Sequence, residues 1–223
     1  MGTAGLNSVR DRIAAAAARA GKRVDDIELV VVSKMRSDTE ILDVYDAGER
    51  IFGENRQQGL RDRIEGTLPD DIVWHFIGPL QSRKVRYVAN HAFLLHSLDR
   101  ISLAHRWVAA GGGPALIQFN VAGEPQKSGF SPDAADQVLD AVLEVGIDVR
   151  GVMAIPPIAE DPRETAPWFA RLRSIFDSYR DHHRGIDICS MGMTDDFEVA
   201  IAEGATTIRV GRAIFEDTND RHD

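Results

Sequence analysis

The sequence predicts a single-domain α/β protein, a (β/α)8 barrel with an extra helix in front of the first strand. Three observations carry this reading. Eight short apolar runs rich in β-branched residues recur along the 223 residues. Each is followed by a polar loop and an amphipathic segment of helical length. The rhythm runs from first to last without a linker, and a chain of this size can bury one large core. The same alternation also allows a doubly wound open sheet.

Residues 1–22, alanine-rich and carrying Arg10, Arg12 and Arg19, read as a helix that covers the N-terminal end of the barrel. The first run, 27–34, holds the aliphatic residues Leu29 to Val32, a strand buried on both faces that ends at Lys34. Its helix starts near Asp38, where Ser37-Asp38-Thr39-Glu40 offers capping oxygens. The runs 50–55, 73–78 and 92–98 follow, with helices starting near Arg56, Gln81 and Arg100. Gly111-Gly112-Gly113-Pro114 is a turn into the fifth run, 115–121, and Ser131-Pro132-Asp133 places a cap and an N1 proline at the next helix. The runs 149–155, 186–193 and 206–211 complete the set, with helices near Arg163, Asp195 and Arg212, and 217–223 form a polar tail.

Composition narrows the function. A formal net charge of −9 argues against a general binder of nucleic acid or anionic membranes. No run is long enough to cross a bilayer and no secretory signal is present, so a cytoplasmic protein is expected; a monomer is expected as well. The single cysteine, Cys189, excludes a disulfide framework and reads as a buried, inert thiol. His91, His96, His105, His182 and His183 lack metal-ligand spacing and read as surface or packing residues, whereas His75 suits the core and a pocket equally.

In a barrel the C-terminal ends of the strands converge on one mouth. There the sequence places Lys34, Gly53-Glu54-Asn55, His75-Phe76-Ile77-Gly78-Pro79-Leu80-Gln81, Asn120, Pro156-Pro157, Ser190-Met191-Gly192-Met193-Thr194 and Arg209-Val210-Gly211-Arg212. A lysine at such a strand end loses hydration, its pKa falls, and the neutral amine can form a Schiff base; the competing reading is a solvated charge. Gly192 and Gly211 are either turn residues or the bare backbone that lets amides approach an anion. Lysine and anion site together point to a phosphorylated aldehyde. Lys127 is either a second acceptor for that aldehyde or a solvated loop lysine.

These segments, spaced over nearly the whole chain and joined by Lys127-Ser128-Gly129 and by Asp195-Asp196 after Thr194, resemble the pyridoxal-phosphate-binding homeostasis proteins. Their fold is similar to the N-terminal barrel domain of alanine racemases. The resemblance implies that Lys34 forms the internal aldimine with pyridoxal 5′-phosphate and that Arg209 faces the pyridine nitrogen. It also implies that Thr194 and the amides of Gly211 and Arg212 take the phosphate, with Ser190 a further phosphate-side candidate, and that Asn55 lines the ring. Many members have serine or threonine where this sequence has Arg212, so a hydroxyl contact is missing there.

An arginine opposite the pyridine nitrogen disfavours its protonation and makes the ring a poor electron sink. The resembling racemases add a tyrosine from a second domain. This sequence ends soon after its last βα unit, and Tyr45, Tyr87 and Tyr179 all fall in predicted helices. The expected function is therefore a carrier or regulator in vitamin B6 and amino-acid homeostasis, in transient contact with apo enzymes that use the cofactor. The alternatives are a weak racemase, a Schiff-base aldolase acting on a sugar phosphate, and a regulatory partner whose cofactor is structural.

Overall fold

In the computed structural model, which describes residues 2–215, eight strands close into a parallel barrel in sequence order. They are β1 (Glu28–Val32), β2 (Ile51–Glu54), β3 (Val73–Phe76), β4 (Leu94–Leu98), β5 (Ala115–Phe119), β6 (Val149–Ala154), β7 (Ile188–Ser190) and β8 (Thr207–Val210). Each lies inside one of the predicted runs. Pairing of Val31 with Val210 joins β1 to β8 and closes the ring, which rules out the open sheet.

The helices are α1 (Gly2–Arg19), α2 (Asp38–Asp46), α3 (Gln57–Ile64), α4 (Val85–Ala89), α5 (Ile101–Ala109), α6 (Ala135–Glu144), α7 (Ala166–His182), α8 (Phe197–Ala202) and α9 (Arg212–Phe215). The capping box before α2 is present: Glu40 donates its amide to Ser37 Oγ, and the Glu40 carboxylate accepts from the Ser37 amide at 2.7 Å. Such a cap stabilises a helix by about 1 kcal/mol. Ser131 caps the 3-10 turn Pro132–Ala134 that leads into α6. The polar tail 217–223 lies outside the described residues.

The extra helix is real, but it does not cover the barrel's N-terminal end. Helix α1 packs along the flank against α9, α8 and α2. Leu6, Val9, Ile13, Ala16 and Ala17 form its buried stripe at helical spacing. The α1–α9 contact is the most extensive one that α1 makes. A Cβ on Gly5 would lie 2.3 Å from the Ile214 carbonyl oxygen, so the two helices meet backbone to backbone.

Outward-facing residues of the strands and the inner faces of the helices form the main core. Phe52 and Trp74 meet at a centroid distance of 5.9 Å, and Phe119 and Tyr179 at 6.2 Å. Each such side chain contributes roughly 1.5–3 kcal/mol on burial. Inside the ring, Leu94, Leu116 and Met153 form a separate small apolar layer. Cys189 is fully buried and its thiol is pushed up to about 12 by burial, as its apolar surroundings predicted.

Candidate functional site

All seven residues expected at the site lie at the C-terminal ends of four adjacent strands, β7, β8, β1 and β2. Asn55 directly follows β2, Ser190 ends β7, Thr194 stands in the next loop, Arg209 lies in β8, and Gly211 and Arg212 carry the chain from β8 into α9.

Lys34 stands two residues past β1, in a turn closed by donation from the Arg36 amide to the Ser33 carbonyl at 3.1 Å. Met35 in that turn has φ 62°, a left-handed conformation that costs a non-glycine residue about 1–2 kcal/mol. The turn is pinned from below. Ser33 donates its amide to the Gly53 carbonyl at 3.1 Å, and its hydroxyl donates to Glu54 Oε1 at 3.0 Å. Glu54 is buried, and burial holds its carboxyl above the usual range against the hydroxyl and the nearby Arg63. Lys34 itself is exposed. The dehydration expected of a strand-end lysine is therefore not supplied by the protein walls. A recess of about 410 Å³ opens beside it, lined among others by Met35, Glu54, Asn55 and Gly59.

Arg209 is the opposite case. It is 4% exposed, and its guanidinium donates to Ser190 Oγ at 2.6 Å and to the Ala154 carbonyl at 3.0 Å. Both acceptors are neutral, and no carboxylate among the described residues forms an ion pair with it. Burial pushes its pKa down to about 10. A buried cation served only by neutral acceptors is a costly arrangement that a polar ligand would complete.

On the anion side, the first amides of a helix have no intrahelical acceptor, which leaves those at the start of α9 available to a ligand. Gly211 allows β8 to reach this point, since a Cβ there would lie 2.9 Å from the Val32 carbonyl oxygen. Gly192 is a turn residue, with φ 91° and Phe197 and Ala200 packed against it. Thr194 is buried, and its carbonyl, not its hydroxyl, accepts from Arg12. Arg212 pairs with Asp195 at the surface. The Ser190 hydroxyl lies inside the barrel between Arg209 and His96.

The segment after β3 acts on Asn55. A Cβ on Gly78 would lie 2.1 Å from the Asn55 carbonyl oxygen, and Ser97 Oγ donates to the Gly78 carbonyl at 2.6 Å. Gly78→Ala is accordingly expected to displace Asn55, lower stability by about 1–3 kcal/mol and weaken ligand affinity. Thermal unfolding with a ligand titration checks this, and wild-type values for both would show that the loop relaxes without moving Asn55.

Other polar residues singled out in the sequence organise loops. Asn120 exchanges hydrogen bonds with the Glu124 backbone, at 2.8 and 3.1 Å. Lys127 is half-buried: its amine donates to the Pro156 carbonyl at 3.0 Å and pairs with Glu124 at 2.6 Å. Tyr45 donates to Asp71 at 2.6 Å and Tyr179 to the Ala135 carbonyl at 2.5 Å, while Tyr87 stacks on His91, all in the helical layer.

Sequence reasoning passed over His96. Fully buried on β4, it contacts Ser190 Oγ through Nδ1 and His75 Nδ1 through Nε2, each at 3.0 Å. Strand parity is the signal that finds it, since His96 shares the inward face of β4 with Leu94. Burial pushes the His75 pKa down to about 4. An unfolded histidine titrates near 6.5, so between pH 6.5 and 4 the unfolded chain binds the extra proton and His75 removes roughly 3 kcal/mol of stability as pH falls. Buried carboxyls with raised pKa, such as Glu54 and Asp196, act in the opposite sense as they take up protons in the fold. The His75 share is read by difference: His75→Phe is expected to flatten the acid limb of a denaturation-midpoint profile, and parallel profiles would refute it.

The geometry combines an accessible amine, a buried guanidinium and a set of free amides on one side of a barrel mouth. Residues 6–219 match the family of the alanine racemase N-terminal domain. A pyridoxal phosphate homeostasis protein of Pseudomonas aeruginosa is 42% identical over 219 residues, covering 94% of this chain and 93% of the relative. The chain belongs to the pyridoxal phosphate homeostasis protein family. Among solved structures, a protein of Bifidobacterium adolescentis is 35% identical with a TM-score of 0.84, covering 96% of this chain and 94% of that one. PipY of Synechococcus elongatus, in the structure with pyridoxal phosphate bound, is 33% identical with a TM-score of 0.76, covering 93% and 99%. The family membership agrees with the resemblance carried by the strand-end motifs. It agrees equally with the barrel of alanine racemase N-terminal type.

Proposed function

We propose that this protein binds pyridoxal 5′-phosphate at the β7-β8-β1-β2 side of the barrel mouth. It holds the cofactor reversibly, as a carrier or regulator in vitamin B6 and amino-acid homeostasis. The observation that carries the reading is the pairing, at one mouth, of exposed Lys34 with buried Arg209, whose guanidinium has only neutral acceptors. The donor set fits the ligand group by group. The Lys34 amine would hold the aldehyde end covalently, the chemistry an accessible amine at this mouth can supply. Arg209 donates to the pyridine nitrogen, the amides of Gly211 and Arg212 with the Thr194 hydroxyl take the phosphate, and Asn55 lines the ring. The relationship to PipY, whose structure contains pyridoxal phosphate, supports binding of that cofactor.

When bound, the cofactor supplies an electron sink for amino-acid chemistry, strongest with a protonated pyridine nitrogen. Arg209 opposes that proton by like-charge repulsion. The exposure of Lys34 and the engagement of all three tyrosines in the helical layer favour holding over turnover. No helix among the described residues is long and apolar enough to cross a membrane. A cytoplasmic protein that passes its cofactor to apo enzymes in transient contacts accords with this and with the unpaired, buried Cys189.

The deciding experiment is the visible absorption spectrum after addition of pyridoxal 5′-phosphate, before and after borohydride, with peptide mapping. A reducible link mapped to Lys34 is expected. A spectrum without one would discard the reading and leave a lysine aldolase acting on a sugar phosphate as the use of the same mouth.

A further inference from the structure

The barrel interior contains a polar chain that leads away from the mouth. It runs from Arg209 Nη1 to Ser190 Oγ at 2.6 Å, from Ser190 Oγ to His96 Nδ1 at 3.0 Å, and from His96 Nε2 to His75 Nδ1 at 3.0 Å. All four side chains are at most 4% exposed. The direction of the hydrogen bonds follows from the donors. A guanidinium only donates, so Ser190 accepts from Arg209 and its own proton needs an acceptor. Among its contacts that acceptor is His96 Nδ1. His96 then carries its proton on Nε2 and donates to His75 Nδ1. The opposite polarity would leave the Ser190 proton without an acceptor in a buried site, a costly arrangement.

We propose that His96 is a positioning residue for ligand recognition: by accepting the Ser190 proton it keeps a Ser190 lone pair turned toward Arg209, and so sets the plane in which the guanidinium meets the ring nitrogen. The proposal rests on the reading of Arg209 as the pyridine partner. It gives His96 a task that a space-filling core residue lacks. Arg209 has two neutral anchors, Ser190 and the Ala154 carbonyl. The carbonyl is fixed by β6, whereas the hydroxyl can rotate, and His96 removes that freedom.

Two substitutions separate this role from packing. An asparagine at this position offers its side-chain oxygen where Nδ1 stood, keeping the acceptor for Ser190 while giving up His75. A glutamine offers its amide where Nε2 stood, keeping the contact with His75 while giving up Ser190. The full-length protein is titrated with pyridoxal 5′-phosphate, and the visible band position and Kd are read, with thermal unfolding as a control. His96→Asn is expected to retain the wild-type band. His96→Gln is expected to shift it and weaken affinity about tenfold, the size of one hydrogen bond to a charged group. Ser190→Ala cuts the same link and also removes an Arg209 anchor, so it is expected to shift the band at least as far as His96→Gln; if His96→Gln does not fold, a wild-type band in Ser190→Ala still overturns the proposal. A wild-type band in folded His96→Gln or in Ser190→Ala, or equal shifts in His96→Asn and His96→Gln, would overturn the proposal. Arg209→Gln run in parallel distinguishes the two levels. If it also leaves band and affinity unchanged, Arg209 is not the ring partner; if it shifts them while His96→Gln does not, the role of His96 alone is lost.

Discussion

Lys34→Ala is expected to abolish the borohydride-reducible attachment of pyridoxal 5′-phosphate and to leave folding nearly untouched. Both halves come from the same geometry. The amine is the accessible nucleophile of the mouth, and alanine supplies no replacement. The side chain is also exposed and makes no hydrogen bond or ion pair among the described residues, so its removal belongs with surface substitutions that change stability by about 0.5 kcal/mol or less. The turn that presents it is held by the Arg36 amide, Ser33 and Glu54, none of which the substitution alters. Non-covalent binding through Arg209 and the α9 amides remains, so affinity falls without vanishing. A link that survives reduction and maps to Lys127 would show that the amine bound to Glu124 and the Pro156 carbonyl is the true acceptor, and the assignment of Lys34 would then be wrong.

Much of this was legible in the sequence because the barrel repeats one local rule. Eight β-branched runs, each followed by a segment of helical length, locate the strands, with caps legible at Ser37 and Ser131, and the C-terminal strand ends then locate the mouth without tertiary information. Two kinds of fact were not legible. One concerns packing between elements distant in the chain: α1 was expected beneath the barrel, yet it packs on the flank against α9, α8 and α2, and nothing in its own amphipathic pattern says which neighbour it meets. The other concerns polar residues inside the ring. Ser190 and His96 lie 94 residues apart, and their contact depends on closure of the barrel across β4, β7 and β8. Parity along β4 is a signal that the reading of His96 as a surface or packing residue did not use, and only three-dimensional closure identifies its partner. For Lys34 the local strand pattern misled about environment, since the exposed turn after Val32 and not the strand sets the hydration of the amine.

Arg209→Gln is expected to cost far more in binding than in folding, for reasons that can be weighed. Wild-type Arg209 carries its charge in full burial, and the fall of its pKa from 12.5 to about 10 corresponds to roughly 3 kcal/mol of unfavourable desolvation. Glutamine removes that cost. It also removes two hydrogen bonds from a charged donor, to Ser190 Oγ and the Ala154 carbonyl, each contributing about 1.5–3 kcal/mol. The two effects largely cancel, and a net loss of about 1–2 kcal/mol is expected in thermal or urea unfolding. Binding has no such compensation, because the donor to the pyridine nitrogen is gone. Affinity should fall about 10- to 100-fold and the visible band should move. Arg209→Glu is a poorer probe: it sets a carboxylate against the Ala154 carbonyl and near Asp196, whose own carboxyl is already raised by burial. Its folding loss would mask the spectral effect. If Arg209→Gln binds with the wild-type band and affinity, the buried guanidinium serves the barrel interior alone and the ring nitrogen faces another group.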